Sequence, residues 1–479
     1  MLSAIAAIVA LLGMAYAMLM FVLSSVSRTA DKSLDKRKIQ GHSPAPDASA
    51  VSRPAPTVTA RQHIHDDHVS LAVLRFEPLS NVEEDKYLAS GIASEVIAMV
   101  APVPDIRVSS RNTSFGWDTG KAGIEAAGEQ LNADFVLSGS LQRAGNRIHV
   151  IARLTDVHSF TEVWTQTYDR ELEDLFAVQH NIAQSIVGAM LAEVKRAEAL
   201  LANKMPVHQL DAWGLVQKAY HFWLTTFTVE AIFKAAQYLR RALEIDPDYA
   251  AARSALAMLL AQQMTARICE DYDAVAKEAA VMIAEAYRLA PNDIDVLENA
   301  GVVWQNLGES ERSIRALRHG IELAPLNLIS RGYLALVLAF TRGGEGAREA
   351  QELIAENFAI APKHPAAAYW HWFNAVAAQA LGRYDESMGH CEKSLQGQPG
   401  WIHNYFFMAN AYCLKGDVDR AREVLANAAQ INPMLTPQLH LENVDRITGS
   451  PALSEAFVGG LLDKNLVVRS AGPVAGLAS

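Results

Sequence analysis

The same short phrase closes one predicted helix after another in the second half of the chain. Each phrase ends in a proline, and successive prolines lie 44, 34, 37, 37 and 34 residues apart. The six are Pro247, Pro291, Pro325, Pro362, Pro399 and Pro433. A period near 34 residues with a helix-ending proline is typical of a helical repeat array. Because such arrays present extended binding surfaces, we expect a protein that binds other proteins and is not an enzyme.

Small residues recur at fixed distances inside these units. A glycine lies 17 residues before three of the prolines, where it can form the turn between two helices. These glycines are Gly308, Gly382 and Gly416. The pattern resembles the tetratricopeptide repeat, with aromatic positions filled by Trp304, Tyr405 and Tyr412. The sequence therefore predicts an all-α tetratricopeptide-repeat solenoid of about six repeats over residues 207–446, with extra residues between the helices of the first two.

Charge and cysteine content narrow the possible partners. The formal net charge is −11, which disfavours nucleic acid because phosphate binding requires a basic surface. We expect protein or peptide partners and no cofactor or metal. Cys269, Cys391 and Cys413 are expected to be free thiols inside repeat helices, since an odd number without paired spacing is not a disulfide framework. A Cys391–Cys413 bridge is the alternative.

The N-terminal segment is strongly apolar. Residues 2–27 carry no charged side chain, and about 20 such residues suffice to cross a bilayer. We predict a transmembrane anchor over residues 1–27, with a cleaved secretory signal as the alternative. Five basic residues follow between Arg28 and Lys38, which favours a cytoplasmic location for the bulk of the chain. Residues 28–66, rich in Pro, Ala and Ser, are predicted to be a disordered linker.

A small α/β domain is predicted over residues 67–200. Strands are expected at 69–76, 106–110 and 160–170, with a hairpin over 133–157 that turns at 144–146. Helices are expected at 83–101 and 121–132, and a long helix over about 173–200 leads to the repeats.

Several phrases of this region are similar, in order and spacing, to the TolB-like domain that precedes tetratricopeptide repeats in many bacterial proteins. They include LAVLRFEPLS at 71–80 and NADFVLSGSLQRAGNRIHVIARLTDV at 132–157. The domain is found in the C-terminal halves of class III adenylate cyclases and of membrane-anchored winged-helix regulators. The resemblance implies a single-pass protein of the bacterial inner membrane with a periplasmic bulk, in conflict with the basic flank. In those relatives the catalytic or DNA-binding part precedes the span, so no catalytic residue is carried over.

Two short motifs partly match known sites, one for zinc and one for phosphate. Residues 63–68 spell HIHDDH, a zinc-binding phrase of metallo-hydrolases, but they follow a predicted linker and lack a second set of ligands. Loop histidines, or adventitious metal binding, are the alternatives. Residues 116–122 approach a phosphate loop, yet the spacing is one residue short and Ala122 has no hydroxyl. Neither motif is expected to support catalysis.

An aromatic face on the later repeats is the best candidate site. Counting back from the closing prolines places eight residues on the inner groove of two neighbouring repeats. They are Tyr369, Trp372, Val376 and Gln379 in one repeat, and His403, Phe406, Asn410 and Cys413 in the next. The aromatics would anchor an apolar segment of a partner, and Asn410 would bind its backbone. The alternative is that these aromatics pack against the neighbouring helix.

These observations lead to three functional hypotheses. The first is a membrane-anchored scaffold that binds partners through the groove and the α/β domain. The second is the sensory or regulatory half of a signalling system related to adenylate cyclases or winged-helix regulators. The third is a hydrolase that uses the histidine motif. A last helix over 451–468 is expected to cap the exposed end of the array, followed by a flexible tail at 469–479.

Overall fold

The computed structural model describes residues 69–103, 106–115, 119–171, 175–204, 207, 210–226 and 229–469. The predicted anchor, the linker, the histidine motif and the tail beyond residue 469 lie outside these residues. Across the parts of the chain that are described, we find no helix with the length and apolarity needed to cross a membrane. Those parts comprise a small α/β region followed by a predominantly helical solenoid, so the predicted fold is confirmed in this form.

The described part of the α/β region contains six strands and four helices. The strands are β1 (Val69–Val73), β2 (Glu77–Pro78), β3 (Ile106–Val108), β4 (Phe135–Ala144), β5 (Arg147–Asp156) and β6 (Thr161–Glu171). The helices are α1 (Glu83–Val100), α2 (Arg111–Phe115), α3 (Thr119–Leu131) and α4 (Leu175–Lys204). Residues 111–115, directly after the predicted strand at 106–110, form the short helix α2.

The strands form one mixed sheet in the order β3-β1-β4-β5-β6, with β2 paired to β4. Strand β1 runs parallel to β3 and β4, whereas β4, β5 and β6 are antiparallel neighbours. The β4–β5 pairing extends to Ala144 and Arg147, so the predicted hairpin turns at residues 145–146. Apolar residues of the strands, such as Leu71 and Phe135, are fully buried in a core shared with α1 and α4.

Six helix pairs follow in the described part of the chain. The first helices of the pairs are α5 (Ala212–Thr226), α7 (Ala250–Thr265), α9 (Ile294–Asn306), α11 (Leu328–Thr341), α13 (Ala367–Ala380) and α15 (His403–Leu414). The second helices are α6 (Val229–Ile245), α8 (Tyr272–Leu289), α10 (Ser310–Leu323), α12 (Gly343–Ile360), α14 (Tyr384–Gly397) and α16 (Val418–Ile431). The first helices pack against one another along the array. We call α7, α9, α11, α13 and α15 the inner helices and the second helices the outer helices.

Local sequence explains each pair. The predicted turn glycines Gly308, Gly382 and Gly416 have φ angles of 82°, 71° and 86°, which side chains rarely adopt. A small residue in the first helix lets the second approach, because a Cβ on Gly301 would lie 2.4 Å from Leu317 Cγ. The outer helices end two residues before the repeated prolines; α10, for example, ends at Leu323, before Pro325.

Helix α4 joins the α/β region to the array. Its Ile182, Ile186 and Met190 are fully buried in the sheet core. On another side of the same helix, Gly188 approaches Ile360 and Leu328 at the ends of repeat helices so closely that a Cβ there would clash. The long helix therefore belongs to both cores.

Two further helices end the described chain: α17 (Pro437–Thr448) and α18 (Pro451–Asp463). We call them together the C-terminal hairpin; they join at Gly449, which adopts a left-handed conformation at φ 64°. Helix α17 contacts α9 and α11, and α18 contacts α15, α13 and α11. A helix forms within the expected range 451–468, over Pro451–Asp463, and it packs mainly against α15 of the last repeat and also against α13 and α11.

Cysteine placement also departs in one case from the prediction. All three cysteines are free, and Cys391 and Cys413 are buried within repeat helices. Cys269 lies between α7 and α8 rather than inside a helix, because the connection in this repeat is longer than in the later ones.

Candidate partner-binding face

The six residues selected as binding candidates lie together on α13 and α15. Each helix repeats every 3.6 residues, so positions three, seven and ten residues apart share one side. Helix α13 contributes Tyr369, Trp372 and Gln379, and α15 contributes His403, Phe406 and Asn410. We call these six residues the inner face. None of them carries a formal charge when the histidine is neutral.

A buried amide network crosses the inner face. Gln379 Nε2 donates to the carbonyl oxygen of Phe407 at 3.0 Å, and its Oε1 accepts from Asn410 Nδ2 at 3.2 Å. Both side chains are fully buried. The network fixes the orientation of the Asn410 amide, since each end of Gln379 has a defined partner.

Asn410 reaches the backbone of α18 with both ends of its amide. Its Nδ2 donates to the carbonyl oxygen of Ala456 at 3.1 Å, and its Oδ1 accepts from the N–H of Gly460 at 2.8 Å. These two backbone groups are four residues apart, the spacing of one helical turn. The Asn410 side chain therefore binds backbone groups of a helix, and neither hydrogen bond involves a charged group.

Glycine at position 460 is required for this approach. A Cβ built there would lie 2.5 Å from the backbone oxygen of Asn410 and 2.8 Å from Leu414 Cγ. Real Cβ atoms do not come so close to backbone atoms, so a larger residue would push α18 away from α15. The Gly459–Gly460 pair is costly inside a helix, and close backbone contact explains the second of the two.

Aromatic rings surround the network. The Trp372 ring centroid lies 5.3 Å from that of Trp401 and 5.7 Å from that of His403. The Tyr369 ring meets Trp401 edge-on at 5.1 Å. Aromatic pairs at these distances add stabilisation beyond their buried area.

Phe406 lies against the first helix of the hairpin. Its ring stacks on His440 of α17 with centroids 4.4 Å apart and an angle of 11° between planes. His440 is 2% exposed, and neither of its ring nitrogens has a hydrogen-bond partner among the described residues. Burial lowers the pKa of His440 well below its usual value, and nearby His403 adds to the effect. The imidazole is therefore neutral in this packing.

Burial also favours the uncharged form of the other ionisable groups of the face. It lowers the pKa of His403 to about 4 and raises the pKa of the Tyr369 hydroxyl well above 10. Both groups are uncharged at neutral pH. At neutral pH the inner face therefore presents no charge to the helices packed on it.

The structure places the inner face under the C-terminal hairpin. Trp372 is 8% exposed, Phe406 is 1% exposed, and Gln379 and Asn410 are fully buried. The sequence predicts a groove that is free to bind a partner; in the structure, α17 and α18 of the same chain cover it. Trp372 and Phe406 therefore pack against neighbouring helices in this structure, which was the alternative for these aromatics. Binding of a partner by these six residues stays a prediction.

Three residues that complete the site were missed by sequence reasoning. His440, Phe457 and Gly460 lie beyond the last repeat, so counting back from the closing prolines could not reach them. The signal available was α18 itself, in which an aromatic residue is followed by a Gly-Gly pair. Such a helix is too apolar to lie exposed and too rich in glycine to form without close packing.

Polar side chains beside the strands of the α/β region form structural hydrogen bonds. Asp134, directly before β4, accepts from the backbone N–H and hydroxyl of Ser70 at 2.9 and 2.8 Å, which ties β4 to β1. Ser110 shares a hydrogen bond with Thr113 at the start of α2. No cluster of three or more potential metal ligands occurs among the residues that the structure describes.

Comparison with known proteins finds one partial relative. The chain is 33% identical over 190 residues to a Rhizobium meliloti protein named "Putative adenylate cyclase 3". The match covers 40% of this chain and 32% of the relative, so the chain spans about a third of that protein's length. No family model matches the chain.

Solved repeat structures are similar at low identity. A fragment of MamA from Desulfovibrio magneticus RS-1 is 18% identical, covering 38% of this chain and 96% of the fragment with a TM-score of 0.26. The pilF structure of Pseudomonas aeruginosa is 18% identical, covering 46% and 92% of the two chains with a TM-score of 0.31. The repeat assignment rests on the six helix pairs themselves.

Proposed function

We propose that this protein is a membrane-anchored scaffold whose repeat array binds a helical segment of a protein partner on the inner face. The apolar run at residues 2–27 would supply the anchor. The α/β region, which resembles the TolB-like domain, would hold the array through α4 and offer a second binding surface.

One observation carries the proposal: the inner face already binds a helix. Asn410 pairs with the peptide groups of one turn of α18, and the surrounding aromatic rings fill the space beside it. Recognition of backbone groups together with apolar anchors is a general way to bind a helix in a groove. A partner helix would use the same contacts.

Charge supports the same conclusion. The six residues of the inner face are uncharged, and burial keeps His403 neutral. A charged segment would lose its hydration there without gaining an opposite charge, at a cost of several kcal/mol. The preferred ligand is therefore an apolar helix, and not an acidic or basic tail.

Site-specific photo-crosslinking in the native host tests this function. Leu414 is 37% exposed at the end of α15, beside Gly460, and can carry a photoreactive amino acid without opening the core. Val281, 57% exposed on outer helix α8, is the matched control. We expect one protein to be crosslinked from position 414 and not from position 281. Equal capture at both positions, or none at 414, would remove the inner face from partner binding.

The anchor has its own test. A chain lacking residues 1–28 is expected to move from the membrane fraction to the soluble fraction and to keep the helical circular dichroism of the array. Retention of the shortened chain in the membrane fraction would contradict the proposed anchor.

The partial relative does not favour the second hypothesis, the regulatory half of a signalling system, over the scaffold. Its name assigns an adenylate cyclase to the relative, and the match covers 32% of that protein. The regulatory-half hypothesis concerns the same binding face, with a signalling protein as the partner.

A further inference from the structure

We propose that α18 is an intramolecular ligand of the inner face, and that the partner displaces it with a helix of the same chemistry: uncharged, with an aromatic residue three positions before a glycine. This inference rests on the proposed function, and it specifies the partner and the control of the site.

The glycine requirement comes from the Asn410 contact. The amide can reach the peptide groups of Ala456 and Gly460 only because position 460 has no Cβ. A competing helix must bring its backbone equally close to α15. A glycine at the corresponding position is the simplest way to do so.

The aromatic requirement comes from Phe457. Its ring lies 4.9 Å from Phe340 of α11 and 6.0 Å from Phe407 of α15, and the side chain is 1% exposed. One residue thus bridges two inner helices. A partner helix without an aromatic at this position would leave a cavity between them.

Different contacts hold the two helices of the hairpin. Helix α17 is fixed to the turns of earlier repeats: Asn443 Nδ2 donates to the carbonyl of Thr265 at 2.9 Å, and Arg446 Nε donates to that of Asn306 at 2.8 Å. Helix α18 is joined to α17 through Arg469, which pairs with Asp445 at 3.2 Å and Glu455 at 3.2 Å. Release of α18 about Gly449 would leave α17 in place.

Arg469 is therefore the latch of α18. Its guanidinium also donates to the carbonyl of Pro451 at 3.2 Å and to the hydroxyl of Ser454, at the beginning of α18. None of these partners belongs to the inner face. Removing the latch should raise the fraction of molecules with an open face, and the apparent dissociation constant of a ligand is inversely proportional to that fraction.

The test uses the full chain and a fluorescent peptide with the sequence of residues 451–463. Binding is measured by anisotropy to the wild-type chain, to Arg469→Ala and to Asp445→Asn, which weakens the same latch from its other side. We expect both variants to bind the peptide about tenfold more tightly than the wild type. A peptide with Gly460→Val is the matched control and should lose at least tenfold in affinity.

Several outcomes would overturn the inference. They are equal peptide affinity for the latch variants and the wild type, no binding to any chain, or undiminished binding of the Gly460→Val peptide. Thermal melts of both variants establish that the array is folded. The proposed function fails separately, if the peptide binds as expected but crosslinking from position 414 captures no protein in the host.

Discussion

The inner and outer helices of this array differ in how much surface they leave to solvent. Among the described residues, α7, α9, α11 and α13 contain no exposed residue, and α15 exposes only Leu414. Outer helix α10, in contrast, buries a single stripe of five residues: Ser313, Ile314, Ala316, Leu317 and Gly320. An outer helix packs on one side, whereas an inner helix is covered on both. The difference arises because the C-terminal hairpin covers the side of the inner helices that faces away from the outer helices.

Truncation on an inner helix should have the largest effect. Phe406→Ala removes a ring that is 1% exposed and stacks on His440, so we expect a loss of about 3–5 kcal/mol in the free energy of unfolding. Val281→Ala on outer helix α8 should change it by less than about 0.5 kcal/mol. Urea denaturation followed by circular dichroism measures both. Similar losses for the two variants would contradict the distinction between inner and outer helices.

Substitution of Asn410, whose amide binds the backbone of α18, should have the next largest effect on stability. Asn410→Ala leaves the N–H of Gly460 and Oε1 of Gln379 without their partner, at a cost of about 1–3 kcal/mol. The matched substitution is Asp417→Ala, which removes the N-cap of outer helix α16 at a cost of about 1 kcal/mol. Only Asn410→Ala should also weaken binding of the 451–463 peptide by a latch variant. Unchanged peptide affinity would separate Asn410 from helix recognition.

Acidification should loosen the hairpin. Burial lowers the pKa of His440, and lowers that of His403 to about 4, so both are bound as neutral rings. A depressed pKa of this kind contributes stability that is complete above the unfolded pKa of about 6.5 and is lost as the pH falls below it. Each histidine should weaken docking of α17 about tenfold between pH 7.5 and 5.5. His403 is the titratable group that acts on His440, so replacing His440 removes its own titration and its coupling to His403.

Single variants separate the histidines. His440→Phe keeps the stack on Phe406 without a titratable group and should remove part of the acid sensitivity. His371→Phe is the control, because the pKa of His371 is also lowered to about 4 but the residue faces His390 instead of the hairpin. Hydrogen exchange of the α17 amides at pH 5.5 and 7.5, corrected for the pH dependence of intrinsic exchange, gives the readout. Equal pH dependence in the wild type and His440→Phe would exclude His440 from the acid response of α17.

The smallest effect compares one substitution at two glycines. Gly389, on outer helix α14, has nothing within 4 Å of a built Cβ, so Gly389→Ala should stabilise the protein by about 0.4–1 kcal/mol. Gly460→Ala places a methyl group 2.5 Å from the Asn410 oxygen and should destabilise it by about 1–3 kcal/mol. We expect the melting temperature to rise for Gly389→Ala and to fall for Gly460→Ala. A shift in the same direction for both variants would show that α18 does not approach α15 as described.

Local features of the fold were predictable from the sequence. The repeat period located the turns at Gly308, Gly382 and Gly416, and the 3.6-residue helical spacing correctly grouped Trp372 with Gln379 and Phe406 with Asn410 on one face. These inferences depend only on residues that are close in the chain.

The cover over that face was not predictable in the same way. Asn432 donates to the carbonyl of Ala266, and Asn443 to that of Thr265, across 166 and 178 residues of sequence. No local period encodes such contacts. The contacts of α18 are of the same kind, since its Gly460 meets Asn410 and its Phe457 meets Phe340 far back in the chain.

Hydrogen exchange of the full chain in the presence of excess 451–463 peptide tests the central claim most directly. If the inner face is a helix-binding site occupied by α18, the peptide should take its place. The amides of residues 451–463 in the chain should then exchange faster, while those of α13 and α15 stay protected. Unchanged exchange in α18, or loss of protection in α13 and α15, would show that the hairpin is a permanent part of the core.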